Sequence, residues 1–150
     1  MALTKEELDK LLAELKPHVD TPEHRLATGL AAYTALFKAH PEYISHFSRL
    51  QGLNASNVMQ SEGIKHYATT LIDATVNLLS AAANGKELEG VTKKYGQDHV
   101  TRQVNQAEFM SGLPVFISVF QSLLHDSGNK ASVEKFLKHI FPAISAEIKA

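Results

Sequence analysis

Ala32 to Phe47 reads AYTALFKAHPEYISHF, and the order of its large residues decides the fold. Tyr33 and Phe37 stand one helical turn apart with Leu36 beside them, so a helix with one apolar face runs toward His40-Pro41. Proline has no N–H, and its ring clashes with the preceding turn, so the helix cannot continue in the same direction. The chain turns a corner there, and Phe47 follows just after the turn. A large aromatic pinned at a helix corner wedges against something flat.

Outward from this corner, helical spacing dominates and strand alternation is nearly absent. Thr4 and Glu7 make a capping box for a first helix, with Leu8, Leu11, Leu12 and Leu15 in one stripe before Pro17. Thr21-Pro22 starts the second helix, which carries Leu26, Leu30, Tyr33 and Phe37 inward. A short helical turn is expected after Pro41, and Arg49 to Asn57 reads as a polar loop. A long helix is expected from about Asn57 to Ala83, with Ile64, Tyr67, Leu71, Thr75 and Leu78 on one face and Asn84-Gly85 as its stop.

The next helix, about Glu87 to Val100, is weakly amphipathic, and Leu88, Thr92, Tyr95 and His99 share a side. Asn105 and Glu108 cap another, carrying Phe109, Leu113, Phe116 or Ile117, and Phe120. The last begins near Lys130, with Val133, Phe136, Leu137, Ile140 and Ile144 inward, and Pro114 and Pro142 should kink the helices they sit in. The expectation is a single all-α domain over 1–150, with six main helices and short connections.

Composition removes several function classes. The 150 residues carry 15 basic and 16 acidic side chains and no basic stripe, which argues against nucleic acid or an anionic membrane as partner. The chain has no cysteine, so disulfides, thiolate metal sites and cysteine nucleophiles are excluded. The start, MALTKEELDK, is acidic and amphipathic rather than a signal peptide, and no apolar run approaches the ~18–20 residues of a membrane span. A cytoplasmic monomer is expected. Asn54-Ala55-Ser56 fits a glycosylation sequon by chance on this reading.

Eight histidines invite a metal site, yet none sits in an HExxH pattern. His18, His24, His46, His66, His125 and His139 read as solvated or capping residues, and His40 as bonding locally at the corner. His99 differs because it shares a side with Leu88 and Tyr95 and so points inward. Its own surroundings leave it open between a hydrogen-bonded core residue and an iron ligand, a role one such histidine can fill. There is no Gly-x-Ser-x-Gly, Gly-rich phosphate loop or dinucleotide fingerprint. Glu6-Glu7 and Glu87-Glu89 lie at helix starts or on exposed faces, where acids suit the helix dipole.

Taken in order, Leu36-Phe37-x-x-His40-Pro41 with Phe47, then Ser61 to Tyr67, then His99 with Val104 and Phe109, resemble the globin family over about Leu8 to Ile148. The resemblance implies a globin-like fold around haem b (iron protoporphyrin IX), with His99 as the iron ligand. It implies that Nδ1–H of His99 bonds a carbonyl one turn earlier, near Tyr95, and that Phe47 packs on the porphyrin. Leu71 would stand over the other face. Arg49 and Arg102 are open between propionate partners and solvated charges.

The family's usual distal histidine falls at Tyr67, because His66 is turned ~100° away on the helix. Tyr33 occupies a place that is aliphatic in many globins. The link from His99 to Val104 is one residue shorter than the vertebrate pattern.

The two tyrosines, and phrases such as HPEYISHFSRLQGL and MQSEGIKHYATTL, are similar to trematode globins. That resemblance implies tight, reversible oxygen binding, with Tyr33 and Tyr67 donating to the ligand and carbon monoxide and nitric oxide as further ligands. Whether the Tyr67 hydroxyl points into the pocket or to solvent stays open. One alternative is a haem enzyme acting on nitric oxide or peroxide. Another is a haem-based sensor or a haem-free helical interaction domain.

Overall fold

Helix starts in this chain are written by short polar side chains. In the computed structural model, which describes residues 3–86, 88–101 and 104–148, Thr4 accepts the Glu7 N–H while Glu7 accepts the Thr4 N–H, opening α1 (Lys5–Val19). Thr21 caps α2 (Pro22–Ala39), and Pro22 sits in its first turn, where a missing N–H costs nothing. Ser61 caps α3 (Glu62–Ala83), Asn105 and Glu108 box the start of α5 (Gln106–Ser111), and Asp126 caps α7 (Ser127–Ala146). Between these lie α4 (Glu89–Thr101) and α6 (Leu113–Ser122). The described residues contain no strand, so the fold is all-α as expected.

Four boundaries differ from the sequence reading. Pro17 lies inside α1, which runs on to Val19, because a proline in the last turn removes only one hydrogen bond. The third helix starts at Glu62, five residues later than Asn57, after a 3-10 turn at Val58–Gln60. The single helix expected after Asn105 is two, divided at Gly112 where Pro114 withholds an N–H. The last helix begins at Ser127, ahead of Lys130. Glu87 is outside the described residues.

At the corner, α2 ends at Ala39 and Pro41–His46 forms a 3-10 turn, followed by another at Ser48–Leu50. The segment read as a polar loop therefore begins in an ordered turn, and Leu50 is buried. The other end of α3 stops as Asn84-Gly85 predicts. Gly85 takes φ +72°, Lys86 N–H reaches the Ala81 carbonyl at 2.9 Å and Gly85 N–H reaches Ala82 at 3.1 Å, which is the Schellman arrangement.

The buried side chains form two apolar clusters. One joins α1, the second half of α3, α6 and α7 through Leu11, Leu79, Phe120 and Phe136. The other joins α2, the corner and the first half of α3 through Tyr33, Phe37, Phe47, Ile64 and Tyr67. Leu71 and Phe116 pack against both. Helices α2 and α3 cross closely enough that a Cβ at Gly29 would lie 2.1 Å from the Ala68 carbonyl oxygen. No helix among the described residues is long and apolar enough to cross a membrane.

Candidate functional site

Where the two clusters meet they leave a cavity of about 210 Å³. Its walls are Tyr33 and Leu36 of α2, Tyr43, His46 and Phe47 of the corner, Leu71 and Thr75 of α3, and Tyr95, Asp98 and His99 of α4. Val104, Phe109, Phe116, Phe141 and Ile144 complete it from the other side. A larger cleft of about 950 Å³ opens on the surface beside Lys5, Asn84, Lys86 and His139. None of the described candidate site residues lines that cleft, whereas Tyr33, Phe47, Leu71, Tyr95, His99, Val104 and Phe109 line the smaller, more apolar cavity.

His99 is held in place through its helix. A Cβ at Gly96 would lie 2.4 Å from Cβ of Glu147 and 2.9 Å from the Ile144 carbonyl oxygen, so only glycine lets α4 approach the end of α7 this closely. One turn on, His99 Nδ1 donates to the Tyr95 carbonyl at 2.7 Å. A carbonyl only accepts, so the ring proton sits on Nδ1 and, in the neutral ring, Nε2 carries the lone pair. Phe109 meets the imidazole edge-on with centroids 4.6 Å apart, and is itself stacked on Phe141. Val104 N–H donates to the His99 carbonyl at 3.0 Å, closing the short link. Burial pushes the Tyr95 phenol up, with Asn77 as an opposing hydrogen-bond partner. Among the described residues no cluster of three or more His, Cys, Asp or Glu could hold a metal ion.

On the wall formed by α2, the corner and α3, Phe47 is caged by aromatic rings. Tyr33 lies 5.6 Å away edge-on, Phe37 at 5.7 Å and Tyr67 at 4.8 Å. Tyr33 and Leu71 line the cavity. Tyr67 stands behind Phe47, outside the lining residues. It is 5% exposed, and its hydroxyl accepts the Arg49 N–H at 3.1 Å, with Ser48 Oγ at 3.4 Å. Its hydroxyl is thus turned to the corner backbone, which is neither of the two directions weighed from sequence. His66 is exposed, as its position one residue from Tyr67 requires.

The side chain of Arg49 is exposed and outside the cavity lining, while Arg102 lies outside the described residues. The polar groups at the rim are others. His46, read from sequence as solvated, is only 18% exposed, and its Nε2 lies 2.9 Å from Glu108 Oε2. Tyr43 bonds Ser111 Oγ at 2.8 Å. Glu108 was legible as a capping residue, and its second carboxylate oxygen was the signal that another partner was available. The Asn105 N–H holds its carboxyl below the usual range, burial opposes it next, and contact with His46 lowers it further by a lesser amount. Tyr43 and Asp98 gave no such signal, because both depend on which elements meet at the rim.

Comparison with known proteins follows the same outline. The globin family model matches residues 30–144. A globin of Isoparorchis hypselobagri is 46% identical over 149 residues, spanning 99% of this chain and 100% of its own. One of Dicrocoelium dendriticum is 38% identical over 140 residues, 93% and 91% of the two chains. Both sources are trematodes. Among solved structures, ferric Aplysia limacina myoglobin superposes with a TM-score of 0.78 at 20% identity, covering 99% of this chain and 98% of that one. At that identity the likeness concerns the fold alone.

Proposed function

The chain belongs to the globin family, and from that premise we propose that it carries haem b in the cavity and binds dioxygen reversibly and tightly. The observation that carries this reading is His99, one imidazole with its tautomer set by the Tyr95 carbonyl, presented inside apolar walls. That donor fits haem iron, which takes a neutral imidazole nitrogen. Haem, when bound, supplies the iron at which a diatomic gas is taken up and released. A porphyrin needs more room than about 210 Å³, and the walls that would yield include the rotatable side chains of Leu36, Phe47 and Leu71.

The residues divide the work. His99 would hold the cofactor by Nε2, Tyr95 would keep that nitrogen unprotonated, and Phe47, Leu71, Val104 and Phe109 would pack on the ring and exclude water. Tyr33 would donate its hydroxyl to the ligand. Dioxygen draws more charge onto itself than carbon monoxide does and would gain more from such a donor. With the Tyr67 hydroxyl bonded to the corner backbone, Tyr67 acts on the ligand indirectly, by holding Phe47 and the corner.

A peroxide-consuming enzyme would want an acid–base group beside the ligand, and the imidazole offered by α3, His66, is exposed. Among the described residues Val100 is the one large apolar side chain that is exposed, which supports a monomer. The test is the absorption spectrum of the ferrous protein with and without oxygen, then oxygen dissociation kinetics. A Soret band, a reversible oxy spectrum and slow release are expected. No haem uptake, or steady turnover of peroxide or nitric oxide with a reductant, would overturn the reading.

A further inference from the structure

We propose that Asn84-Gly85 is a site of spontaneous chemical modification, a deamidation held in check by the cap that ends α3 and released when that cap opens. The inference concerns the connection from α3 to α4 and stands apart from the oxygen-binding reading. Among the asparagines of the sequence, only Asn84 precedes glycine. Both residues are exposed, and a Cβ on Gly85 would meet nothing within 4 Å. Water and base therefore reach the peptide nitrogen between them, and glycine leaves that nitrogen without a flanking side chain.

The step needs water and nothing else. A base takes the Gly85 N–H proton, and the nitrogen attacks Cγ of Asn84, forming a C–N bond and a five-membered imide. The bond from Cγ to Nδ2 breaks, and the amide nitrogen leaves as ammonia with a proton from solvent. Water then opens the imide at either carbonyl. One opening gives an ordinary aspartyl link. The other leaves the main chain running through the side-chain carbon, as isoaspartate.

The closed cap opposes this step in two ways. Gly85 N–H is donated to the Ala82 carbonyl at 3.1 Å and Lys86 N–H to the Ala81 carbonyl at 2.9 Å, so the attacking nitrogen is tied down on its own helix. Asn84 itself sits at φ −90° and ψ 9°. At that ψ the Gly85 nitrogen nearly eclipses the Asn84 nitrogen, whereas imide closure needs it to eclipse Cβ, about a third of a turn away. Bringing it within bonding reach of Cγ means breaking both cap bonds. Frayed helix ends open at little cost. The product then hinders reclosure. A carboxylate at this position faces the negative end of the α3 dipole, and isoaspartate adds a carbon to the stretch that must place both N–H groups.

The experiment incubates the full-length protein at neutral pH and follows each asparagine by peptide mass mapping, with isoaspartyl methyltransferase labelling to tell the two products apart. The same chain unfolded in guanidinium chloride supplies the uncapped rate, and amide exchange at Gly85 measures cap opening. Aspartate and isoaspartate should both form at Asn84 ahead of every other asparagine. The folded rate should be about tenfold or more below the unfolded one, by the factor that exchange at Gly85 gives. Lys86→Pro removes the donor to Ala81 and should bring the folded rate toward the unfolded one, while Asn84→Gln should abolish the product. A folded chain that never converts at Asn84, equal rates in the folded and unfolded chains, or aspartate without isoaspartate would each overturn the proposal. Should Lys86→Pro fail to fold, the ratio of the two wild-type rates and the exchange at Gly85 still decide it.

Discussion

Tyr33 and Tyr67 carry the same phenol, and their neighbours give the two hydroxyls different work. Helical periodicity sets the direction of a Cα–Cβ bond, and on that basis both residues face the site. What a phenol does at its far end depends on the polar group waiting there. For Tyr67 that group is the Arg49 N–H, left over by the 3-10 turn at Ser48–Leu50, a turn no periodic pattern announces. Replacing Tyr33 by Phe should therefore remove a donor to a partly charged ligand, worth ~1.5–3 kcal/mol, and speed oxygen release by about 10–100-fold. Tyr67→Phe should change release by less than that and instead deprive the Arg49 N–H of its acceptor, at roughly 0.5–1.5 kcal/mol of stability. Stopped-flow oxygen release on both variants, with amide exchange at Arg49, separates these roles. Equal acceleration in the two would mean that both hydroxyls reach the ligand.

At the level of elements, starts were more legible than ends or breaks. Thr4-x-x-Glu7, Thr21-Pro22 and Asn105-x-x-Glu108 each open a helix where the sequence places it, because a cap is a local hydrogen bond between residues three apart. The start of α3 was placed too early because Asn57 and Ser61 are both acceptable caps, and the choice between them is made by Val58, buried beneath the corner. Crossings between helices were not legible, since a glycine inside an apolar stripe has no local signature. Gly29 is such a case. An alanine there would bring its Cβ to 2.1 Å from the Ala68 carbonyl oxygen, a backbone atom that cannot rotate away. Overpacking of this kind costs typically ~1–3 kcal/mol, so Gly29→Ala should lower Tm by roughly 3–10 °C in thermal unfolding followed by circular dichroism. An unchanged Tm would mean that α2 and α3 separate without cost.

For the molecule as a whole, near-neutral net charge conceals carboxylates set at junctions, and these make folding depend on acid. Glu14 is the clearest, because it ties α1 to α7. One oxygen accepts the Asn129 side-chain amide at 2.8 Å, and the other accepts the His125 N–H at 2.6 Å. Asn129 first and His125 after it hold the Glu14 carboxyl below its ordinary value of 4.5. Thr4 does the same for Glu7, and His24 for Asp20. Composition could count such acids but could not tell a junction from a solvated face, because the partners of Glu14 lie more than a hundred residues away. A group whose pKa is lower when folded binds its proton more readily when unfolded. It therefore stabilises the fold above the ordinary value, and that contribution disappears as pH falls through the folded one. Wild-type Tm should thus be level near neutrality and begin to fall as pH drops below about 4.5. Glu14→Gln should unfold at a lower temperature than wild type at pH 7, since an amide has a single acceptor oxygen, keeps at most one of these bonds and brings no charge to it. The gap between the two should close as pH falls, because protonation removes the same charge from the wild type. Thermal unfolding of both proteins across that range checks the sign, and a gap that widened toward acid would show that Glu14 is not stabilised as an anion in the folded chain.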